Sequence, residues 1–390
     1  MFRNTRNLLC QLGAASSNGQ LGKIFAEELN CRAVLLVTDR GVREAGLIEG
    51  AVTNLQQAGI DCHIFDRVEA DPPESVILDA LQSATESGVD GILGLGGGSS
   101  MDVAKVVAFL HGSTTQSLSE IYGVEKCQGT RLPLVQVPTT AGTGSEVTPI
   151  SIITTGANAK MGIVAHQLYP DYAVLDGSLT LSVPPIVSAA TGIDAMVHAI
   201  EARTSKLKKN PLSDLLAHEA LRLLGNNIKT VCEDGNDALA REQMLLGSCY
   251  AGMAFANAPV AAVHALAYPL GSHFKVSHGL SNSLVLPHVL RFNARDNHAA
   301  AEYAEAAKIL FPSLLPMVWP SDIHGAHYLA DSFAELAEEL NVPTQLSDVG
   351  VSSHDIDMLS TEALKQERLL PNNPVAMTLE DIREIYTQAL

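Results

Sequence analysis

Through its first half the chain alternates short apolar runs with amphipathic stretches, and beyond residue 180 the runs stop. Ala33–Thr38, apolar and β-branched, and the runs Cys62–Phe65, Gly91–Leu95 and Leu132–Val137 are of strand length, and each reads as a strand. A stretch through Leu47 and Leu55 reads as helix. So does Glu74–Ser87, where Val76, Ile77, Ala80 and Leu81 fall at helical spacing. Strands alternating with helices predict a parallel sheet with helices on both faces. Farther on, Ala, Leu and Glu dominate. Helices are predicted over Pro184–Arg203, Pro211–Leu224, Ala238–Phe255, Ala261–Ser272, Asn282–Asn293, Ala299–Phe311, His327–Leu340 and Leu379–Gln388. The proline-marked stretch Pro170–Pro185 reads as a hinge. The expectation is an α/β domain over residues 1–180 followed by an all-α domain over residues 181–390, with no internal repeat.

Composition changes this picture in three ways. At 390 residues, 46% of them apolar and 17% charged, the chain is long and apolar enough for two substantial cores. With 43 acidic against 25 basic side chains the net charge is −18, which argues against nucleic acid or an anionic membrane as partner. An anionic cofactor stays open, because backbone amides at a helix N-terminus bind phosphate without a basic patch. The six cysteines are scattered with no C-x-x-C pair, the pattern of reduced thiols in a cytoplasmic protein. Cys249 could serve as a site thiol, but packing is the simpler reading. The N-terminus carries no signal-peptide pattern, and no apolar run reaches the roughly 20 residues of a membrane span.

Two glycine-rich segments carry candidate cofactor chemistry. Gly96-Gly97-Gly98-Ser99-Ser100-Met101-Asp102 follows a predicted strand and opens a helix expected over Val103–Leu110. Its glycines permit close backbone approach, and the helix start offers free amides and a positive dipole end to a pyrophosphate. Thr139-Thr140-Ala141-Gly142-Thr143-Gly144-Ser145 also follows a strand, and its hydroxyls suit phosphate and ribose oxygens. Either loop alone could be a plain strand–helix turn. Two of them at strand C-termini, where α/β sheets bind ligands, favour a nucleotide site. Neither is G-x-G-x-x-G, so the usual Rossmann fingerprint is absent. Asp39, ending the first predicted strand, is placed to accept from ribose hydroxyls and repel a 2′-phosphate, favouring NAD over NADP. It could equally cap the next helix, and Arg40 beside it could accommodate a 2′-phosphate.

Asp194 and His198 stand four residues apart in Gly192–Ala199, on one helical face, where a carboxylate and an imidazole can share a cation. His264 and His278, in an apolar, glycine-rich context, could complete the set. One Asp and three His suit Fe²⁺ or Zn²⁺.

With both loops and the ligand helix in this order, the chain resembles the iron-containing (group III) alcohol dehydrogenase family, of the dehydroquinate synthase-like fold. The matching stretches are Gly96–Lys105, Pro138–Thr148, Ala190–Ala195, His264–Gly271, His278–Asn282 and Leu286–His288, so the resemblance covers essentially the whole chain. It implies an α/β nucleotide-binding N-terminal domain and an all-α, metal-binding C-terminal domain. It implies ligation by Asp194, His198, His264 and His278, and pyrophosphate contacts from Gly97, Gly98 and Ser99, with Asp102 nearby. Thr139, Thr140 and Thr148 would line the cofactor with Leu179 against it. Lys160 would stand near the nicotinamide ribose, and Asp39 would set NAD preference. Members commonly pair through the N-terminal domain, which implies a homodimer or higher homo-oligomer. One position departs. Many members carry a proton-transferring histidine four residues after the third ligand, and here that position is Tyr268. A phenol with an ordinary pKa of about 10 is a poor shuttle near neutrality, so ribose hydroxyls, water or another histidine must serve, and His273 is a candidate.

The implied reaction is hydride exchange between a small-molecule alcohol or aldehyde and NAD, with a divalent metal polarising the oxygen. The small apolar residues Ala258, Val260, Ala262 and Leu266 point to a small or medium-chain alcohol rather than a charged acid. A glycerol or hydroxyacid dehydrogenase of the same superfamily is the near alternative. A metal-dependent lyase or cyclase on this fold would need basic residues for an anionic substrate, and the segment Ala256–His278 offers only Lys275. A non-enzymatic nucleotide-binding protein is a third alternative. It sits poorly with an intact ligand set, which is costly to bury unfilled.

Overall fold

A computed structural model describes residues 1–112, 115–156, 159–312 and 319–390. The chain forms two compact units. The first comprises Arg3–Val183 with Asn236–Cys249, and the second Pro184–Gly235 and Tyr250–Leu390 with the two N-terminal residues.

In the first unit, β1 (Asn7–Cys10), α1 (Gln20–Lys23), β2 (Ala33–Asp39), α2 (Arg40–Glu44), α3 (Glu49–Gln57), β3 (Asp61–Val68), α4 (Glu74–Ser87), β4 (Gly91–Gly96) and α5 (Gly98–Leu110) follow in order. Then come β5 (Gly123–Val124), β6 (Leu134–Pro138), β7 (Ile150–Thr155), β8 (Ala159–Val164) and β9 (Tyr172–Leu175). The main sheet runs β1-β9-β6-β4-β2-β3, with every pair parallel. Side chains alternate across β2. Val34 and Leu36 join one buried apolar cluster, and Leu35 and Val37 join the other. An apolar run therefore marks a strand covered on both faces. β7 and β8 form an antiparallel hairpin, with β5 alongside β8.

After β3 the chain crosses back over β2 to place β4 on its other side. That reversal opens a crevice at the C-terminal ends of β2 and β4, where α/β sheets take ligands. The proline-marked stretch read as a hinge holds strand β9, paired with both β1 and β6, because a parallel partner was available there.

The second unit is helical. It holds α6 (Pro185–Thr204), α7 (Pro211–Glu233), the end of α8 (Ala238–Asn257), α9 (Ala262–Phe274), α10 (His278–Asn293), α11 (Asn297–Leu310), α12 (Asp322–Glu339), α13 (Ile356–Leu364) and α14 (Leu379–Ala389). The opening turns of α8 pack with the first unit, where Arg241 Nη2 donates to the Val183 carbonyl at 3.1 Å. Most of α6 is buried all round, which explains why it reads as helix by length and punctuation more than by an apolar stripe. No single helix among the described residues is long and apolar enough to cross a membrane.

Candidate metal centre and nucleotide groove

In the second unit, α6 turns Asp194, His198 and, nearly a turn later, Glu201 onto one buried face. His264 comes from the first turn of α9, and His278 opens α10. Gly279 permits this closure. A Cβ there would stand 2.4 Å from the Ala190 carbonyl oxygen of α6, so only glycine lets the start of α10 come this near.

One donor atom from each of Asp194, His198, His264 and His278 lies within 4.8 Å of every other. Asp194 Oδ1 is 3.8 Å from His198 Nε2, 3.8 Å from His264 Nε2 and 3.7 Å from His278 Nε2. Metal bonds of about 2.1 Å would set neighbouring donors roughly 3–3.5 Å apart, so these atoms already outline a shell of cation size. Asp194, His198 and His264 are buried, while the His278 side chain keeps 34% exposure and is the open side of the cluster. Burial pushes the Asp194 carboxyl up to about 6, opposed by His264 and by a hydrogen bond from Asn282. The His198 ring stacks on Phe255 at 4.4 Å and on His264 at 4.8 Å.

Two residues to which the sequence assigned no role complete the centre, Glu201 outside every matching stretch and Asn282 at the end of one. Glu201, buried, accepts from Ala261 N at 2.9 Å and His264 Nδ1 at 2.7 Å on Oε2, and from Val263 N at 2.7 Å on Oε1. A proton held on Nδ1 leaves the His264 Nε2 lone pair toward Asp194, the usual carboxylate–histidine support of a metal ligand. Its spacing, seven after Asp194 and three after His198, was the available sequence signal. Asn282 Nδ2 donates to Asp194 Oδ1 at 2.6 Å and lies 3.3 Å from Nε2 of both His264 and His278. Its own Oδ1 is buried without a partner. One carboxylate and three imidazoles converging at this spacing are the donor chemistry of a divalent-cation site. The donor set therefore fits a divalent cation.

Tyr268, one turn past His264, lies with its ring 6.0 Å from that of His278, and Arg368 Nη2 reaches its phenol oxygen at 3.5 Å. His273 is exposed near the end of α9 and stands outside the four-residue cluster, because it faces solvent rather than α6. Cys249 is fully buried and burial pushes its thiol well up, as packing alone would do.

In the first unit, a groove of about 680 Å³ runs along the strand ends, lined among others by Asp39, Arg40, Arg67, Gly97, Gly98 and Ser99. The start of α5 faces it with no acid in its first turn, so its free amides and dipole are available to an anion. A Cβ on Gly98 would stand 2.9 Å from Thr143 Cγ2, so the two glycine-bearing loops touch through a position that only glycine fits easily. Asp39 caps a helix and also borders the groove. Its Oδ1 caps α2 through Val42 N at 2.9 Å, and it lines the groove, with Ser100 Oγ donating to Oδ2 at 3.3 Å.

The other expected cofactor residues are spread around these loops. Thr139 is buried and Thr140 half-buried after β6. Thr148 Oγ1 accepts from Lys105 Nζ at 3.2 Å. Asp102 is spent internally, accepting from Ser145 Oγ at 2.7 Å and Ile152 N at 2.8 Å. Lys160 pairs with Asp71 at 2.7 Å, and Leu179 is buried in the apolar core on one face of the sheet.

Beside this network lies Glu146, fully buried with both carboxylate oxygens unpartnered, and burial pushes it up to about 7. An acid whose folded-state value is raised prefers to fold protonated. That stability is complete below about 4.5 and is lost as pH rises through 7. Glu146→Gln should therefore raise the melting temperature at pH 8 and change it little at pH 5, as read by paired thermal unfolding. An equal effect at both pH values would show that Glu146 does not titrate in this range.

A nucleotide-type groove in an α/β unit and an Asp-His₃ cluster in a helical unit define a metal-dependent, nucleotide-using oxidoreductase. The chain belongs to the iron-containing alcohol dehydrogenase family, of dehydroquinate synthase-like fold. The model described as iron-containing alcohol dehydrogenase matches residues 12–177, and that of the family's C-terminal part matches residues 188–390. Long-chain-alcohol dehydrogenase 1 of Geobacillus thermodenitrificans is 34% identical over 376 residues, 95% of this chain and 93% of that protein. The NAD-dependent methanol dehydrogenase of Bacillus methanolicus is 29% identical over 365 residues, 93% and 94% of the two chains. The crystal structure of a 1,3-propanediol oxidoreductase superposes over 100% of both chains with a TM-score of 0.93 at 31% identity. Like its relatives, the chain is an oxidoreductase acting on CH–OH groups.

Proposed function

We propose that the protein oxidises an alcohol, and in reverse reduces an aldehyde, by exchanging hydride with NAD at a metal held by Asp194, His198, His264 and His278. The observation that carries this reading is the convergence of those four donors, with Glu201 fixing the tautomer of one of them. A divalent cation there, Fe²⁺ in the first instance, supplies a Lewis acid that favours the deprotonated alcohol. The chain's own residues do the rest. Asp194 brings the single negative charge and is kept in place by Asn282. Phe255, His198 and His264 would wall the cation from water on the buried side.

Gly97, Gly98 and Ser99 hold the pyrophosphate on the first turn of α5, and Asp39 takes the adenosine ribose. Thr139, Thr140, Thr148 and Lys160 support the rest of the cofactor. With Tyr268 in place of a histidine, the proton leaves through ribose hydroxyls or water. The scattered cysteines fit a cytoplasmic protein, and the family's habit of pairing through the N-terminal domain supports a homodimer or higher homo-oligomer. The test is direct: protein of measured metal content is assayed by NADH absorbance with simple alcohols and aldehydes. No bound metal and no turnover would sink the reading.

Asp39→Gly tests cofactor choice. Glycine is tolerated at an N-cap at a cost of a few tenths of a kcal/mol, and Arg40 and Arg67 remain in the groove for a 2′-phosphate. The NADP-to-NAD ratio of kcat/KM should rise on the order of tenfold, about 1.4 kcal/mol of removed repulsion. An unchanged ratio would show that Asp39 does not select the cofactor.

A further inference from the structure

Of the fourteen arginines in the chain, ten form ion pairs within the described residues. The four others differ in setting. Arg32 is exposed, Arg40 lines the nucleotide groove, and Arg241 is buried and holds the Val183 carbonyl. Arg368 is the fourth. It is half-buried, and among the described residues no carboxylate pairs with it, in a chain that carries 43 of them. Among the described residues its side chain makes one hydrogen bond, from Nη2 to the phenol oxygen of Tyr268 at 3.5 Å. A guanidinium has five N–H donors in a planar fork, so most of the fork is left for something else.

The place matters as much as the vacancy. Tyr268 lies against His278, the least buried of the four cluster residues. The fork therefore sits one phenol ring away from the open side of the centre. We propose that Arg368, steadied by Tyr268, is a specificity-determining residue that binds the carboxylate of an anionic substrate, a short ω-oxo acid or the matching ω-hydroxy acid, while its other end meets the metal. This rests on the dehydrogenase reading above and narrows it. The segment Ala256–His278 holds Lys275 as its one lysine or arginine, but the fold brings an arginine in from residue 368, a hundred positions after Tyr268.

The departure at Tyr268 acquires a reason. A histidine taking up a proton there would stand as a second cation beside Arg368, whereas a neutral phenol accepts from it. A planar fork matches a carboxylate bidentately, and such charge-assisted pairs are the strong class of hydrogen bond.

The experiment uses the metal-loaded enzyme with NADH and two aldehydes of equal chain length, succinic semialdehyde and butanal, on wild type, Arg368→Ala and Arg368→Lys. The ratio of their kcat/KM values, acid over neutral, should fall 10- to 100-fold in Arg368→Ala and recover in part in Arg368→Lys. Succinate should raise the melting temperature of the wild type and not that of Arg368→Ala, a readout that needs no turnover. If butanal is reduced but the ratio is the same in all three proteins, the substrate inference fails and the dehydrogenase reading stands. If neither aldehyde is reduced by metal-loaded wild type, both fail together.

Discussion

His264→Ala should strip the protein of tightly bound metal and lower alcohol oxidation by on the order of 10³-fold or more. The reasoning begins with the ligand set: three imidazole nitrogens and one carboxylate oxygen share a shell of cation size, and His264 is both buried and held by Glu201. Removing it leaves three ligands and a gap. The Lewis acid supplies several kcal/mol of charge stabilisation in the transition state, and each 1.36 kcal/mol is a factor of ten in rate. The fold should survive, because Glu201 keeps its bonds from Ala261 and Val263 and the gap borders the open His278 side. The measurement pairs metal analysis after dialysis with NADH formation from the alcohol. A metal-free His264→Ala protein with full activity would overturn the assignment. Partial recovery when Fe²⁺ or Zn²⁺ is added in excess would support it, since the remaining donors bind weakly but in the right place.

The sequence carried much of this site, for identifiable reasons. Strands such as β2 were legible because burial on both faces demands an uninterrupted apolar run, and α4 because only one of its faces is buried. Two misplaced helix starts share a cause. The start of α5 was expected at Val103 and lies at Gly98, and that of α10 was expected at Asn282 and lies at His278. Glycine and serine have poor helix propensity, but close approach to Thr143 and to Ala190 outweighs it. Propensity thus hid the first turns at the two helix starts where ligand chemistry is concentrated. Strand β9 was masked by the prolines around it, and in the β7–β8 hairpin the β-branched run Ile150–Thr155 signals a strand but Lys160 and Gly162 interrupt the apolar pattern of its partner. Contacts distant in sequence were beyond any local pattern: Arg368 meets Tyr268 across a hundred residues, and Glu201 meets His264 across 63.

Glu201 gives the second large effect, and it separates support of a ligand from ligation itself. The carboxylate accepts three bonds in a buried position, two from backbone amides at the entry to α9 and one from His264 Nδ1. Glu201→Ala would orphan all three donors, each costing about 1–3 kcal/mol, so this variant should unfold several degrees earlier. Glu201→Gln is the sharper probe, since it keeps the volume. Its single oxygen can serve Ala261 and His264 on one side. Its NH₂ would then face the Val263 N–H, donor against donor, and the negative charge that makes His264 a stronger base is gone. Metal affinity should fall about 10- to 100-fold, the range for losing such a support. At saturating metal kcat should return toward wild type, because all four ligands remain. Competition with a chelator measures the first effect, and activity titrated with added Fe²⁺ measures the second. A Glu201→Gln protein that binds metal as tightly as wild type would show that the hydrogen bond only packs the helix. Loss of kcat that no metal concentration restores would mean that Glu201 acts in the reaction itself rather than through His264.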